Sequence, residues 1–583
     1  MADFKLALAL LVLGLLPLSS GAYITTIHVP SVLQNENIGN LTVIHLNLTP
    51  GHGGVQVSGP TAVDADTIAS AQTAAEYAAS FLGLQEKNYN FNYTINDSNV
   101  SVSGPSGGLA FTLLAVAALE HRQLAQSFTA TGTISSNGTI GLIGGITDKS
   151  NAASTGGMRF ILVPYTSNGT LESLLYYISQ QTNNIPVVEV ANVSQALPYA
   201  FGEKSPTPLY INLTQTFDLV AVGNANVSCT GCNLSAFGQL VNYTFNITRS
   251  TVASLPSGFS SVKQQFTTNL NNYGGLKTNG FLYTSADFTF LSFINAFALA
   301  NYRNYTLANA TNLLANISSY CSSLVPPPLT TQNYEFVIGG RIRQYWANIT
   351  LANAEQQLTS EQTTDDIVTS IYTAASALGW CKASAELYSI APFMGGSYVD
   401  ISPSLRSAAA TAVNKARSTG SGIYVQTAAQ AYNNGDYATA LYAAAYANAF
   451  ERPLPSYSTS KFYSETLGNI ANATNGTWPS QFAIQSEFYF RQSFVSHSGA
   501  NDSMDQAYTT SVLAAGLQAA NGAISSSFTI TNQSVAGMAQ QISGIEQQIS
   551  QIYEIMLVNA GLLFAVLMVL LVHMLPRGKK RRG

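Results

Sequence analysis

The sequence predicts an α+β domain, a mainly α-helical domain after it, a short coiled-coil-like stalk and one transmembrane helix. Three observations carry that reading. Strand-period and helix-period segments alternate up to about residue 200. An Ala- and Tyr-rich helical pattern then runs to about residue 521, and residues 555–575 contain no Asp, Glu, Lys or Arg. Periodicity separates the two kinds of element, because strand side chains alternate while helical ones return every 3.6 residues. At 583 residues the chain also exceeds one ordinary core, so several domains are expected.

In order, residues 1–22 read as a signal peptide: Lys5, an apolar run, then Pro-Leu-Ser-Ser-Gly-Ala, with cleavage after Ala22. In the α+β part (residues 23–200), residues 41–48 are β-branched and partly alternating, hence a strand. Thr49-Pro-Gly-His-Gly-Gly breaks it and Val55-Gln-Val-Ser resumes. Residues 66–84 place Ile68, Ala75, Ala79 and Leu82 at helical spacing, with Asp66 as the expected N-cap. Residues 89–95 and 100–103 are strand-like. Residues 106–124 are apolar nearly all round, which predicts a buried helix. Ser136-Asn137-Gly138 marks a hairpin within 131–143, and 159–164 and 186–190 read as strands.

Ser205-Pro-Thr-Pro opens a Gly-, Asn- and Thr-rich linker with short β-like runs, residues 201–257. Residues 258–534 form the helical domain, interrupted at Pro326-Pro-Pro and near Pro453. Gln430-Ala-Tyr-Asn-Asn-Gly-Asp-Tyr-Ala-Thr-Ala predicts a helix–turn–helix of tetratricopeptide type, with weaker echoes at 302–314 and 345–358. Val535, Met538, Ile542, Ile545, Ile549 and Ile552 alternate in steps of three and four, a heptad stalk (residues 535–554) suited to self-association or to packing on the chain's own bundle. A helix over residues 555–575 would span about 30 Å, the thickness of a bilayer's apolar core. The basic tail at 576–583 predicts a cytoplasmic C-terminus and an outward-facing bulk.

Composition agrees with export. Only 9% of residues are charged and the net charge is −5, so no basic face for nucleic acid is expected. About twenty Asn-X-Ser/Thr sequons, among them Asn40, Asn92, Asn137, Asn246, Asn348 and Asn532, would carry glycans outside the cell. The four cysteines suit an oxidising compartment. Cys229 and Cys232 read as a structural disulfide rather than half of a zinc site, which leaves Cys321 and Cys381 to pair. No metal ligand set and no cofactor motif appears.

The chemistry-bearing stretch is Ser103-Gly-Pro-Ser-Gly-Gly ahead of the buried helix. Ser106 would sit at a helix N-terminus, where free N–H groups favour an oxyanion. Alone, a serine after Gly-Pro reads more simply as a helix cap, and Lys149 as a surface lysine after a Gly-Gly turn. The downstream order changes the reading: Thr131-Gly-Thr-Ile, then Gly138-Thr-Ile-Gly-Leu-Ile-Gly-Gly-Ile-Thr-Asp-Lys149, then Ala152-Ala-Ser-Thr-Gly-Gly-Met-Arg-Phe-Ile-Leu-Val-Pro164. Together with Pro50-Gly-His-Gly-Gly-Val-Gln-Val-Ser-Gly59, this run resembles the Lon-type serine peptidase proteolytic domain over residues 41–190.

The resemblance implies an α+β Lon-type proteolytic domain with Ser106 as nucleophile, Lys149 as general base and Thr131 orienting the lysine. Ser106 and Lys149 stand 43 residues apart, the family's own spacing. Ser103 replaces the family's acidic residue before Gly-Pro-Ser, and Thr133 replaces the Glu of Thr-Gly-Glu. Leu142, Ile143 and Ile146 are the apolar neighbours expected to dry the lysine. No Gly-x-x-x-x-Gly-Lys-Ser/Thr phosphate loop occurs in the sequence. The expected partners are therefore unfolded or exposed peptide segments, cut without ATP, and a membrane reached through residues 555–575. A catalytically inactive peptide-binding or structural surface protein is the rival reading.

Overall fold

The structure is a computed structural model. It describes residues 22–530 except 33–38, 61–62, 97–103, 168–169, 216, 302–305, 360–362, 402, 455–458 and 496–499. The expected signal peptide, the strand at 100–103, the stalk, the transmembrane helix and the basic tail lie outside the described residues. Among the described residues, no helix is long and apolar enough to cross a membrane.

The N-terminal domain is built on a seven-stranded mixed sheet. Its strands are β1 (Tyr23–Val32), β2 (Gly39–Pro50), β3 (Val55–Ser58), β4 (Tyr89–Asn96), β5 (Phe128–Ala130), and, after the small β6–β7 hairpin (Thr133–Ile134, Ile140–Gly141), β8 (Phe160–Pro164) and β9 (Val187–Val190), in the spatial order β3-β4-β2-β1-β5-β8-β9. β1, β2 and β4 are antiparallel neighbours, whereas β5, β8 and β9 run parallel to one another and join through β1. Helices α1 (Ala65–Phe81), α2 (Gly108–Leu119), α3 (Ile146–Thr155), α4 (Leu171–Asn183) and α5 (Val193–Ala200) complete the domain. Every residue of α2 is buried, as its unbroken apolar sequence predicts. Alanines 71, 74, 75, 78 and 79 let α1 lie close against it.

Three local expectations are corrected. Helix α1 is capped by Asp64, not Asp66: Asp64 has extended backbone and its carboxylate accepts from Thr67 N at 2.7 Å. Ile68 is exposed rather than core-facing, because the alanines take that role. Helix α2 ends at Leu119, short of Leu124, where His121 turns to positive φ.

The linker expected to be β-like holds a 20-residue helix, α6 (Leu234–Ala253). Its many Thr, Asn and Val residues weaken helix propensity, but Phe237, Leu240, Val241, Thr244, Phe245 and Thr248 recur at helical spacing. Packing of that face overrides propensity. The helices continue as α7 (Ser260–Thr278), α8 (Leu282–Ala300), α9 (Leu307–Ser322), α10 (Tyr334–Thr359), α11 (Thr364–Ile390), α12 (Leu405–Arg417), α13 (Ile423–Asn433), α14 (Tyr437–Phe450), α15 (Thr459–Asn472), α16 (Thr477–Val495) and α17 (Ala500–Ser526). A two-stranded ribbon, β10 (Val399–Ile401) with β11 (Phe528–Ile530), closes the described chain. The tetratricopeptide-like hairpin is α13–α14. The expected echo at 345–358 lies inside the single continuous helix α10.

The two domains share a core. Ile146, Ile161, Val163, Leu174 and Ile178 of the sheet domain pack with Ile211, Val252, Phe259, Val262, Phe266, Leu299 and Val368. The helical domain therefore covers one face of the sheet, and apolar area removed from water holds them together. Cys229 pairs with Cys232, and Cys321 on α9 pairs with Cys381 on α11. The second bridge spans 60 residues, so it restricts a long loop in the unfolded chain. Replacing Cys321 and Cys381 by serine is expected to cost roughly 2–4 kcal/mol, read as a lowered denaturation midpoint under non-reducing conditions.

Candidate active site

Ser106 sits in a single 3-10 turn, Pro105–Gly107, that runs straight into α2. Gly104 enters the turn at φ 95°, a left-handed conformation that suits glycine. Two neighbouring elements hold this turn. From α1, the Asp64 carboxylate that caps the helix also accepts from Gly104 N at 2.8 Å, Thr67 Oγ1 donates to Gly104 O at 3.1 Å, and Ser70 Oγ donates to Pro105 O at 3.1 Å. From the strand following β5, Gly132 N donates to Ser106 O at 2.8 Å and Leu109 N donates to Gly132 O at 2.9 Å. Gly108 leaves no room for a side chain: a Cβ there would meet Ile134 N, Ile134 Cγ2 and Ser70 Oγ at 2.8 Å. The turn bearing Ser106 is thus pressed between α1 and the β6 segment.

Lys149 lies in the first turn of α3. Gly145 precedes that helix with φ 68°, and a Cβ there would come within 2.7 Å of Val32, so glycine alone fits the entry. The lysine side chain is only 5% exposed. Its Nζ lies 3.2 Å from Ser106 Oγ and 3.5 Å from Thr131 Oγ1, while Thr131 Oγ1 itself donates to Ser106 O at 3.3 Å. The structure therefore brings Ser106, Lys149 and Thr131 into one cluster. Burial pushes the Lys149 pKa down to about 8, opposed by the negative charge of Asp365. Of the three apolar neighbours expected to dry the amine, Ile146 is buried and Ile143 partly so, but Leu142 is 53% exposed and cannot contribute.

No side chain caps the start of α2, and its first two N–H groups are taken by backbone carbonyls: Gly108 N donates to Pro105 O and Leu109 N to Gly132 O. The positive end of the helix lies beside the Ser106 hydroxyl. Chemically, the cluster offers a hydroxyl, a desolvated amine whose neutral form is accessible near pH 8, and a hydroxyl that steers the amine.

Residues 29–200 match the Lon protease (S16) C-terminal proteolytic domain. The chain is 26% identical over 181 residues to the Lon protease of Neorickettsia sennetsu, covering 30% of this chain and 21% of that protein. It is 29% identical over 177 residues to Lon protease 2 of Herpetosiphon aurantiacus, covering 29% and 21%. Against Lon protease 1 of Myxococcus xanthus it is 27% identical over 180 residues, covering 29% and 22%. The chain thus spans about a fifth of the length of the curated relatives it matches. The matched span coincides with the sheet domain and its five helices, and leaves the helical domain outside the likeness.

Sequence reasoning missed several residues that shape the matched domain. Asp64 carried a legible signal, an acidic residue just ahead of an Ala-rich helix, but its second hydrogen bond to Gly104 is visible only in the fold. Thr67 and Ser70 likewise act across 35 residues or more. Asp365, more than two hundred residues from Lys149, left no trace at all in the local pattern.

Two expectations follow. Asp64→Ala removes a helix cap and an anchor of the turn bearing Ser106, and should destabilise the protein by about 1–2 kcal/mol, read by denaturant titration. Lys149→Met should act in the other direction. The folded-state pKa lies below the ordinary 10.5, so the fold is penalised wherever the lysine is protonated. The penalty is complete below pH 8 and fades as pH rises to 10.5. At pH 7 the methionine variant should gain about 1–3 kcal/mol, and that gain should vanish above pH 10.5.

Proposed function

We propose that this protein is a serine endopeptidase in which Ser106 attacks the peptide carbonyl and Lys149 is the general base. The match to a Lon proteolytic domain supports a serine peptidase. The observation that carries the finer reading is the 3.2 Å approach of a buried amine to a serine hydroxyl at the mouth of a helix. A serine hydroxyl is a weak nucleophile until a base removes its proton. A neutral Lys149 accepts that proton as Oγ bonds to the carbonyl carbon. The tetrahedral oxyanion faces the backbone N–H groups around Ser106. Lys149 then returns the proton to the leaving amine as the C–N bond breaks; in the second half a water, deprotonated by Lys149, adds to the acyl carbon, and the proton passes to Ser106 Oγ as the ester bond breaks. Thr131 holds the amine in line.

The rest of the reading concerns setting. The sequence contains no phosphate loop, so the peptidase works without ATP-driven unfolding and is restricted to unfolded chains or exposed loops. The N-terminal and C-terminal patterns support a single-pass membrane protein with its bulk outside the cell, glycosylated at some sequons and self-associating through the stripe from Val535 to Ile552.

The test is cleavage of labelled unfolded casein by the full chain and by Ser106→Ala and Lys149→Ala. Each change is expected to lower kcat by at least about three orders of magnitude while leaving the denaturation midpoint in place or raised. Activity of the parent should rise with pH along a limb centred near 8, because only the uncharged amine is a base. Silence of the parent at every pH from 6 to 10 would favour a peptide-binding role instead.

A further inference from the structure

The helix that carries Lys149 has no cap of its own. Gly145 has no side chain to offer, and no side-chain cap from within the domain serves this helix. Its first N–H groups are instead taken by a carboxylate from the other domain. Ile146 N donates to Asp365 Oδ2 at 2.7 Å and Thr147 N donates to Asp365 Oδ1 at 3.0 Å. The exchange is mutual. Asp148, adjacent to the lysine, accepts from Thr364 N at 3.1 Å and from Thr364 Oγ1 at 2.6 Å, at the first turn of α11. Each helix start is therefore held by an aspartate of the other. A capping box between Thr363 and Asp366 holds α11 in turn.

Resting on the Ser/Lys reading above, we infer that the helical domain is part of the catalytic apparatus, with Asp365 as the positioning residue that fixes the helix bearing Lys149 against Ser106. The lysine follows the two capped residues within one helical turn, so any tilt of that turn is passed directly to Nζ. The surroundings make the carboxylate's role specific. Asp365 is buried, and no arginine pairs with it among the described residues. Burial pushes its pKa up, opposed by the N–H groups of Thr147 and Ile146, the Thr147 hydroxyl and the charge of Lys149. The ionisable groups acting around it are Lys149 and Asp148 on α3, Tyr176 on α4 and Asp366 on its own helix. On the strands packed on α3, Val32 and Leu41 come near its two ends, and alternation places His28 and His45 on the same face of the sheet.

The experiment compares the full chain in detergent with Asp365→Ala, Asp365→Asn and Ser106→Ala, using casein cleavage from pH 6 to 10 and hydrogen exchange of the peptide covering Ile146 and Thr147. Asp365→Ala should lower kcat by about ten- to a hundredfold with KM nearly unchanged, since small misplacement of a reacting group is costly, and should speed exchange at those two amides. Asparagine is uncharged and keeps one of the two acceptor oxygens. Asp365→Asn should therefore recover part of kcat at high pH and move the acidic limb to lower pH, because the charge that favours the ammonium is gone. A purely structural role would scale the rate equally at every pH and leave the limb in place. That outcome, or unchanged kcat in Asp365→Ala, overturns the inference while the peptidase reading stands. No cleavage by the parent beyond Ser106→Ala overturns both. Exchange that quickens in Asp365→Ala would then show a structural clasp between the domains and nothing more.

Discussion

Burying an amine is the constraint around which the N-terminal domain is arranged. An ammonium taken from water loses hydration that two hydroxyls 3.2 and 3.5 Å away cannot replace, so the site tolerates Lys149 at the expense of its charge. The surrounding architecture makes that tolerable. The uniformly apolar α2 supplies a mount for the turn bearing Ser106, and the segment between β5 and β6 is hydrogen-bonded to the same turn. Ile146 drives the first turn of α3 into the core shared by both domains. Each of these holds the amine dry; none by itself would bring it to Ser106.

The same constraint explains how much could be read in advance. The buried helix after Gly-Pro-Ser was legible because twelve consecutive small or apolar residues leave no polar face. The hairpin at Asn137-Gly138 was legible because glycine at φ 81° is what a tight reversal needs. The meeting of Ser106, Lys149 and Thr131 was implied by the resemblance alone, since locally a serine after Gly-Pro reads as a helix cap and a lysine after Gly-Gly as a surface residue. Helix α6 was not legible, because its Thr- and Asn-rich composition speaks for turns until the neighbouring helices bury Phe237 and Phe245. Nor was the clasp at Asp365, because a carboxylate that caps a distant helix looks like any residue in the first turn of its own.

The shared core also changes what a domain boundary means in this chain. Residues 209–215 run as an extended strap whose backbone is bound by the side chains of Gln180, Gln265 and Asn269. A strap pinned from both sides is not a hinge. The sheet domain and the helices beyond it are therefore expected to move together, and the likeness to Lon-type domains describes a unit that here has no free outer face on the side of α4.

Chain order gives the clasp between α3 and α11 one more meaning. Asp365 lies 219 residues after Ile146. On a chain emerging from the ribosome at about 5–20 residues per second, the carboxylate follows the helix by roughly ten to forty seconds. During that interval the first turn of α3 lacks the carboxylate that caps it in the folded chain. The cluster at Ser106 is therefore completed late in synthesis, once the helical domain has emerged.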